Sequence, residues 1–215
     1  MYSANLDETL DELDSLKIIQ KKNGYRFSAD SVQLANFILP LQSTDSVIDI
    51  GTGSGVIPLI LAKESPVQNI IGIEIQKSLV DIAKRNVELN DLSSRIRILE
   101  GDFRVIADNQ SLEKNSFSAV ISNPPYTKFA SGRISPSSEK AMAKMELASS
   151  LNNLVNVSKY LAAEDGRICY IYPLSRLQEM ISVIQGNGLE LVRLEFVSPK
   201  PACKAKRVLI EVMAK

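Results

Sequence analysis

From Ser46 onward, short apolar runs alternate with longer segments whose apolar residues recur at helical spacing. This alternation is typical of a mostly parallel α/β sheet. The segment between the last two apolar runs, Ser198 to Lys206, is too short for a helical crossover, so we expect those strands to be antiparallel. The predicted strands are Val47–Ile50, Asn69–Ile73, Arg95–Leu99, Phe117–Ser122, Arg167–Tyr172, Leu189–Val197 and Arg207–Met213, and the predicted helices are Val56–Lys63, Gln76–Asn90, one from Leu147 that stops at Gly166, and Leu174–Gln185.

The first forty residues carry a different pattern. Lys17 to Gln20 and Tyr25 to Phe27 flank a polar stretch that ends in Asn23-Gly24, which predicts a β-hairpin turning at that dipeptide. Ser28 to Leu39 is predicted to be a helix, with Ser28 or Asp30 as its N-cap. We interpret residues 1–40 as a hairpin and helix extension of a single domain, whose catalytic core spans residues 41–215.

Composition excludes several classes of protein. The chain has 215 residues and two cysteines. It has no histidine, and this absence excludes Ser-His-Asp triads and His-ligated zinc, so no metal is predicted. No run approaches the roughly 20 apolar residues that a membrane span needs. The acidic N-terminus is unlike a signal peptide, so we expect a cytoplasmic protein without membrane contact.

The charges are segregated along the chain although 25 bases balance 25 acids. Five acids lie within residues 7–14, and we interpret them as solvated surface. Residues 127–140 are rich in serine and are predicted to form a loop, which adds Lys128 and Arg133 to the candidate nucleic-acid contacts. Residues 200–207 hold four bases and no acid, and we interpret these as a basic face for phosphates: Lys200, Lys204, Lys206 and Arg207.

Glycines alternate between the first strand and the first helix, in Asp49-Ile50-Gly51-Thr52-Gly53-Ser54-Gly55. They allow a ligand to approach the backbone, and the helix start beyond them offers free N–H groups. The dinucleotide fingerprint would need a glycine in place of Val56, and a carboxylate at Asp49 would repel a pyrophosphate. Asp49 suits a ligand with an ammonium and a sulfonium, which favours S-adenosylmethionine over NAD.

Acidic residues follow the next two strands. Glu74 can accept both hydroxyls of a ribose. Asp102 is expected to accept the amino group of an adenine, while Phe103 covers the ring. The predicted cofactor-binding residues from these segments are Asp49, Gly51, Thr52, Gly53, Gly55, Glu74, Ile75, Asp102 and Phe103, together with Asn123 beyond the fourth strand.

Asn123-Pro124-Pro125-Tyr126 directly follows the fourth strand. An amine on a conjugated ring has a delocalised lone pair, so its methylation is helped by two fixed acceptors for its N–H bonds. The side-chain oxygen of Asn123 and the carbonyl of Pro124 can be that pair, because consecutive prolines stiffen the backbone. Tyr126 offers a flat face for the target ring. These four residues are the predicted catalytic site.

In this order, the motifs resemble class I S-adenosylmethionine-dependent methyltransferases of the Asn-Pro-Pro-Tyr kind. More narrowly, they resemble the bacterial tRNA(Val) adenine-N(6) methyltransferase family, over essentially the whole chain. The resemblance is carried by Ile18-Ile19-Gln20, by Gly24-Tyr25-Arg26-Phe27-Ser28 with Asp30, by the glycine loop, by Asn86 with Asn90, and by Asn123 to Tyr126.

The resemblance implies a Rossmann-like fold with a seven-stranded, mostly parallel sheet and an antiparallel last strand. S-adenosyl-L-methionine would lie in the glycine-loop crevice, with Phe27 folding over it. The implied substrate is the 6-amino group of an adenine in the anticodon loop of a tRNA, next to the anticodon. Lys144 stands where the family pattern has arginine, so it retains the charge but loses a forked contact to RNA. We expect a monomer or a weak dimer.

Other functions share parts of these motifs. Protein glutamine-N5 methyltransferases can hold a carboxamide with the same acceptor pair, but they carry a longer helical N-terminal domain than residues 1–40 provide. Ribosomal RNA guanine-N2 methyltransferases more often have phenylalanine in place of Tyr126. DNA adenine methyltransferases would need a target-recognition domain. A module that binds S-adenosylmethionine without catalysis would have no use for Asn123 and Tyr126 together.

Overall fold

The computed structural model of the chain describes residues 4–24, 26–106, 112–124, 151–198 and 203–214. Short 3₁₀ turns occur at Phe103–Val105 and Leu174–Arg176. The other elements are, in order, β1 (Glu8–Leu13), β2 (Leu16–Lys21), α1 (Ala29–Ile38), β3 (Ser46–Ile50), α2 (Val56–Glu64), β4 (Asn69–Glu74), α3 (Lys77–Leu89), β5 (Ile96–Glu100), β6 (Phe117–Ser122), α4 (residues 151–161), β7 (Ala162–Pro173), α5 (Leu177–Gly186), β8 (Leu189–Val197) and β9 (Arg207–Ala214).

Seven strands form one sheet in the order β5-β4-β3-β6-β7-β9-β8. The first five are parallel, and β9 is antiparallel to both of its neighbours, so the predicted fold is confirmed. Asp49 pairs with Gly72 on β4 and with Ile121 on β6, which brings the carboxyl ends of β3, β4 and β6 side by side. The strand order reverses between β3 and β6, and parallel α/β sheets bind their ligands at such a switch point.

The central strands are buried on both faces because helices cover both sides of the sheet. On β3, Val47 packs into the cluster beneath α1, α2 and α3, whereas Ile48 and Ile50 pack into the cluster beneath α4 and α5. Each strand divides its apolar residues between two cores in this way, since successive side chains point to opposite faces. This explains why the strands are continuous apolar runs in the sequence.

The N-terminal hairpin is present, but the prediction of its strands was wrong. It pairs β1 with β2 and turns at Asp14-Ser15, where Asp14 has a φ of 52°. Gly24, with a φ of 135°, lies in the connection to α1 and not in the hairpin turn. The helix that follows begins as predicted, because the Ser28 side chain accepts a hydrogen bond from the Asp30 N–H.

Most of the acidic segment 7–14 is the strand Glu8–Leu13 and not merely solvated surface. Glu8 is buried and forms a two-pronged ion pair with Arg85 of α3, at 2.7 and 2.9 Å. Asp11 accepts from Arg26 at 2.7 Å. The partners of both acids are distant in sequence, so charge pattern alone could not indicate the strand.

Gly166 also has a different role from the predicted helix stop. Helix α4 ends at residue 161 and β7 begins at once with Ala162. A Cβ atom on Gly166 would lie 2.8 Å from the Ala163 carbonyl oxygen and 3.0 Å from that of Phe117. The pairing of β6 with β7 is irregular at this point, and only glycine fits such a close backbone approach.

Candidate active site

The glycine loop has the backbone conformation for which its glycines are suited. Gly51, Gly53 and Gly55 have φ angles of 77°, 59° and 81°, in the left-handed region that glycine adopts without cost. The N–H groups of Gly51 and Thr52 both donate to the Ile73 carbonyl, at 2.9 and 3.0 Å, so the loop is anchored to the end of β4. No atom of the described residues lies within 4 Å of where a Cβ atom of Gly51 would be, which leaves open space against the backbone among those residues.

Asp49 lies beneath this loop and is 1% exposed. Neither of its carboxylate oxygens has a hydrogen-bond partner among the described residues. Burial raises the pKa of Asp49 to about 7. The nearby Thr52 hydroxyl lowers this pKa in part, although it forms no hydrogen bond of standard geometry with Asp49, and the charge of Glu74 raises the pKa further. Buried polar groups are rarely left without partners, so Asp49 marks a place where a cationic ligand group is expected.

Glu74 is also buried, but its carboxylate is held by the backbone. Oε2 accepts from the Gly53 N–H at 3.0 Å and Oε1 accepts from the Gln76 N–H at 2.9 Å. The acid is thus fixed at the mouth of the glycine loop, where further lone pairs can accept ligand hydroxyls. Next to it, the Ile75 side chain is 53% exposed at the carboxyl edge of the sheet.

Asp102 is the N-cap of the 3₁₀ turn and forms a salt bridge with Arg104. The guanidinium Nε lies 2.9 Å from both carboxylate oxygens, and these hydrogen bonds lower the pKa of Asp102. Phe103 is partly buried and packs against the core beneath α4 and α5. Arg104 was not among the predicted site residues, although a base two residues after a capping acid is a recognisable signal for such a pair.

Asn123 lies directly beyond β6, one strand away from the glycine loop. Its Nδ2 atom donates to the Ser31 hydroxyl on α1 at 3.3 Å, and Ser31 is buried. The preceding Ser122 hydroxyl donates to the Ile50 carbonyl at 2.7 Å and ties the end of β6 to the end of β3. Pro124 follows within the described chain, and two polar contacts therefore fix the entry to this motif.

The remaining predicted residues lie in several places. Phe27 is half-buried against the core beneath α1, α2 and α3, and its N–H donates to Gln20 at 2.9 Å. Lys204 and Lys206 are exposed, whereas Arg207 donates to Asp30 of α1 at 2.9 Å. Six predicted residues lie outside the described part of the chain: Pro125, Tyr126, Lys128, Arg133, Lys144 and Lys200.

Asn86 and Asn90 of α3 are polar residues whose role the sequence did not reveal. Asn86 is completely buried and hydrogen-bonds to the backbone of Ile19 on β2 and of Ser54 in the glycine loop. Asn90 binds the backbone of Lys17 in the same manner. Their four-residue spacing on a predicted helix was the available signal, since it places both amides on one face.

The described helices include none that is both long enough and apolar enough to cross a membrane.

Comparison with known proteins gives one family and a group of related sequences. The model of the family described as methyltransferase small domain matches residues 18–145. A tRNA1(Val) (adenine(37)-N6)-methyltransferase from Porphyromonas gingivalis is 32% identical over 164 residues, which cover 76% of this chain and 64% of that protein. A protein of the same name from Flavobacteriaceae bacterium (strain 3519-10) is 25% identical, over 89% of this chain and 78% of that protein.

Solved structures share the fold at low sequence identity. TrmN from Thermus thermophilus superposes with a TM-score of 0.64 at 18% identity, over 86% of this chain and 47% of that one. M. jannaschii tRNA m1G37 methyltransferase superposes with a TM-score of 0.67 at 18% identity, over 100% of this chain and 59% of that one. A predicted O-methyltransferase from Agrobacterium tumefaciens superposes with a TM-score of 0.66 at 21% identity, over 86% of this chain and 80% of that one. At these identities the likeness shows the fold alone.

Proposed function

The chain belongs to the methyltransferase small domain family, and from that premise we propose that it methylates the exocyclic N6 of an adenine in tRNA, in the anticodon loop next to the anticodon. It is an S-adenosyl-L-methionine-dependent enzyme of the class I methyltransferase fold. The observation that carries the proposal is the position of Asn123 and Pro124 at the switch point, one strand from the glycine loop and from Asp49, which has no partner in the described part of the chain.

The residues around the glycine loop fit S-adenosyl-L-methionine. The buried carboxylate of Asp49 would meet its cationic amino-acid end, Glu74 would accept the ribose hydroxyls, and the open backbone at Gly51 would admit the ligand. Ile75 and Phe103 would contact the adenine ring, with Asp102 beside it. When bound, the cofactor supplies an electrophilic methyl group on a sulfonium.

The chain's own contribution is to hold and orient the target amine. Asn123 Oδ1 and the Pro124 carbonyl would accept its two N–H bonds and turn the nitrogen lone pair toward the methyl group. Because the Nδ2 atom of Asn123 donates to Ser31, Oδ1 lies on the other side of the amide, and Ser31 acts as a positioning residue. No strong base is required, since the proton leaves after the nitrogen has been methylated. We assign Tyr126 as the face against which the adenine stacks.

The RNA is proposed to lie along the carboxyl edge of the sheet. Strand β8 runs parallel to β6, so Phe196 near its end lies at the edge that carries Asn123, and Phe196 is 62% exposed. Lys206 is held at the same edge, since its N–H donates to Val197 and its carbonyl accepts from Leu174. An exposed aromatic ring beside Lys204 and Lys206 suits a nucleic acid, which is bound by stacking and by phosphate contacts. Activity on tRNA also fits the predicted cytoplasmic location.

Other predicted residues belong to this proposal without further support. Lys128, Arg133, Lys144 and Lys200 are proposed RNA contacts, and Phe27 is proposed to cover the cofactor. We likewise keep three further predictions: a single domain, a monomeric or weakly dimeric state, and a protein without a metal.

The first test is incubation with labelled S-adenosylmethionine and separate pools of tRNA, ribosomal RNA and ribosomal protein, followed by nucleoside and amino-acid analysis. We expect label in tRNA as N6-methyladenosine. Methylglutamine or N2-methylguanosine would contradict the substrate while leaving the enzyme class intact.

The substitution Asn123→Ala should remove methyl transfer and retain cofactor binding. Asn69→Ala is the matched control, because Asn69 lies at the opposite end of the sheet and is exposed. Full activity in Asn123→Ala would refute the mechanism.

The second test concerns the basic edge. The double variant Lys204→Ala with Lys206→Ala should weaken tRNA binding and reduce the slope of log affinity against log salt by about 1 to 2, since each phosphate contact contributes roughly 0.7 to 0.9. Lys114→Ala is the control, because Lys114 is exposed at the amino end of β6. Equal salt slopes in both variants would remove these lysines from the proposed RNA face.

A further inference from the structure

Asn86 links three segments of the chain that are far apart in sequence. Its Oδ1 atom accepts from the Ile19 N–H at 2.7 Å, while Nδ2 donates to the Ile19 carbonyl at 3.0 Å and to the Ser54 carbonyl at 2.9 Å. Ile19 belongs to the N-terminal hairpin and Ser54 to the glycine loop. One buried amide on α3 therefore hydrogen-bonds to the backbone of both elements.

Asn90 repeats the contact to the hairpin one helical turn away. Its Oδ1 accepts from the Lys17 N–H at 2.9 Å and its Nδ2 donates to the Lys17 carbonyl at 2.8 Å. The spacing matches because four helical residues rise about 6.0 Å and two strand residues rise about 6.6 to 6.8 Å. Two amides on a helix thus substitute for a neighbouring strand along the edge of β2.

Two further contacts attach α3 to the same elements. Ala83, one turn before Asn86, is so close to the loop that a Cβ atom on Gly55 would lie 3.2 Å from its own Cβ. Arg85 forms the ion pair with Glu8 of β1. Helix α3 therefore contacts both the hairpin and the glycine loop directly.

We propose that docking of the N-terminal hairpin and binding of S-adenosylmethionine are coupled through Asn86, which acts as a positioning residue for the glycine loop. A ligand that orders the loop orients the Ser54 carbonyl, which holds the Asn86 amide and with it the backbone of Ile19. Such coupling is reciprocal: a docked hairpin increases cofactor affinity, and bound cofactor stabilises the docked hairpin. The inference rests on the proposed cofactor site and is independent of which substrate is methylated.

Asn86→Ala and Asn90→Ala form a matched pair for testing this coupling. Each substitution removes an amide that makes three hydrogen bonds, two of them to β2. The third bond of Asn86 goes to the Ser54 carbonyl in the glycine loop, whereas the third bond of Asn90 goes to the Asn86 carbonyl. Titration calorimetry with S-adenosylhomocysteine should show affinity reduced about tenfold or more in Asn86→Ala and at most about twofold in Asn90→Ala. Equal losses in the two variants would reduce Asn86 to a purely structural role.

Amide hydrogen exchange on the unaltered protein tests the same coupling if Asn86→Ala does not fold. Adding S-adenosylhomocysteine should slow exchange of the Ile19 amide together with amides of the glycine loop, while amides of β8 stay unchanged. Protection confined to the glycine loop would overturn the coupling. Failure of the unaltered protein to bind S-adenosylhomocysteine would instead refute the cofactor assignment, so the two failures are distinguishable.

Discussion

Two buried polar side chains lie at the glycine loop, and their surroundings are opposite in kind. Asn86 uses its amide oxygen and nitrogen in three hydrogen bonds to backbone groups. Asp49 is equally buried, yet neither carboxylate oxygen has a partner among the described residues. A buried group without partners costs stability, whereas one with all its partners specifies a unique packing. Asn86 therefore supports the loop, whereas Asp49 is the residue that we propose meets the ligand.

The substitution Asp49→Asn should produce the largest effect on the ligand side of this comparison. It keeps the shape of the side chain but removes the charge that a cationic ligand would meet. Loss of one partner from a buried charge pair costs about 3 to 5 kcal/mol, so we expect cofactor affinity to fall at least a hundredfold. Calorimetry with S-adenosylhomocysteine measures this, with Asp45→Asn as an exchange of the same type at the amino end of β3. Unchanged affinity would show that Asp49 does not meet the ligand.

The substitution Asn86→Ala should act mainly on folding stability. It leaves buried backbone groups of Ile19 and Ser54 without their partners, and each such group costs about 1 to 3 kcal/mol. We expect the free energy of unfolding to fall by about 2 to 4 kcal/mol, measured by urea denaturation, and by about 1 kcal/mol in Asn90→Ala, whose contacts to Lys17 are exposed. A smaller loss in Asn86→Ala than in Asn90→Ala would contradict the role of burial.

The raised pKa of Asp49 gives opposite pH trends for binding and for stability. Cofactor affinity should fall as pH drops below about 7, approaching tenfold per pH unit, because the neutral acid no longer attracts a cation. In the free protein the folded-state pKa of Asp49 exceeds its unfolded value of about 3.9, so the contribution of Asp49 to stability is greatest below about pH 4 and is lost as pH rises toward 7, at up to about 1.4 kcal/mol per unit. Both trends should disappear in Asp49→Asn; their persistence would assign them to another group.

Asp102 is intermediate between the two cases, since it has a partner but is not deeply buried. Arg104 occupies its carboxylate, and a ligand amino group would compete with that guanidinium. We expect Arg104→Ala to change cofactor affinity by only about two- to threefold, in the direction of tighter binding, because partly exposed ion pairs contribute about 0 to 1 kcal/mol. Lys77→Ala at the exposed pair with Glu100 is the control. Markedly weaker binding in Arg104→Ala would mean that Arg104 itself contacts the ligand.

Most of the sheet could be predicted because its strands are short apolar runs between helical segments, and the central strands are buried on both faces. Phe117–Ser122 and Leu189–Val197 have the predicted bounds, and the other strands differ from prediction by a residue or two, apart from β7. Strand β7 begins at Ala162, five residues earlier than predicted, because the bulge at Gly166 depends on the carbonyl of Phe117 across the sheet. Strand β1 was missed altogether, since its acids are neutralised by Arg85 and Arg26, which lie elsewhere in the sequence.

The site divides in the same manner. The sequence alone determined the glycine loop, the acids after successive strands and the position of Asn123, because each follows from the residues beside it in the chain. Only the tertiary structure decided that Asp49 has no partner among the described residues, that Asn123 donates to Ser31 and that Asn86 joins the hairpin to the loop. Hydrogen bonding of a buried group depends on which segments the fold brings within about 3 Å, and sequence separation carries no record of that distance.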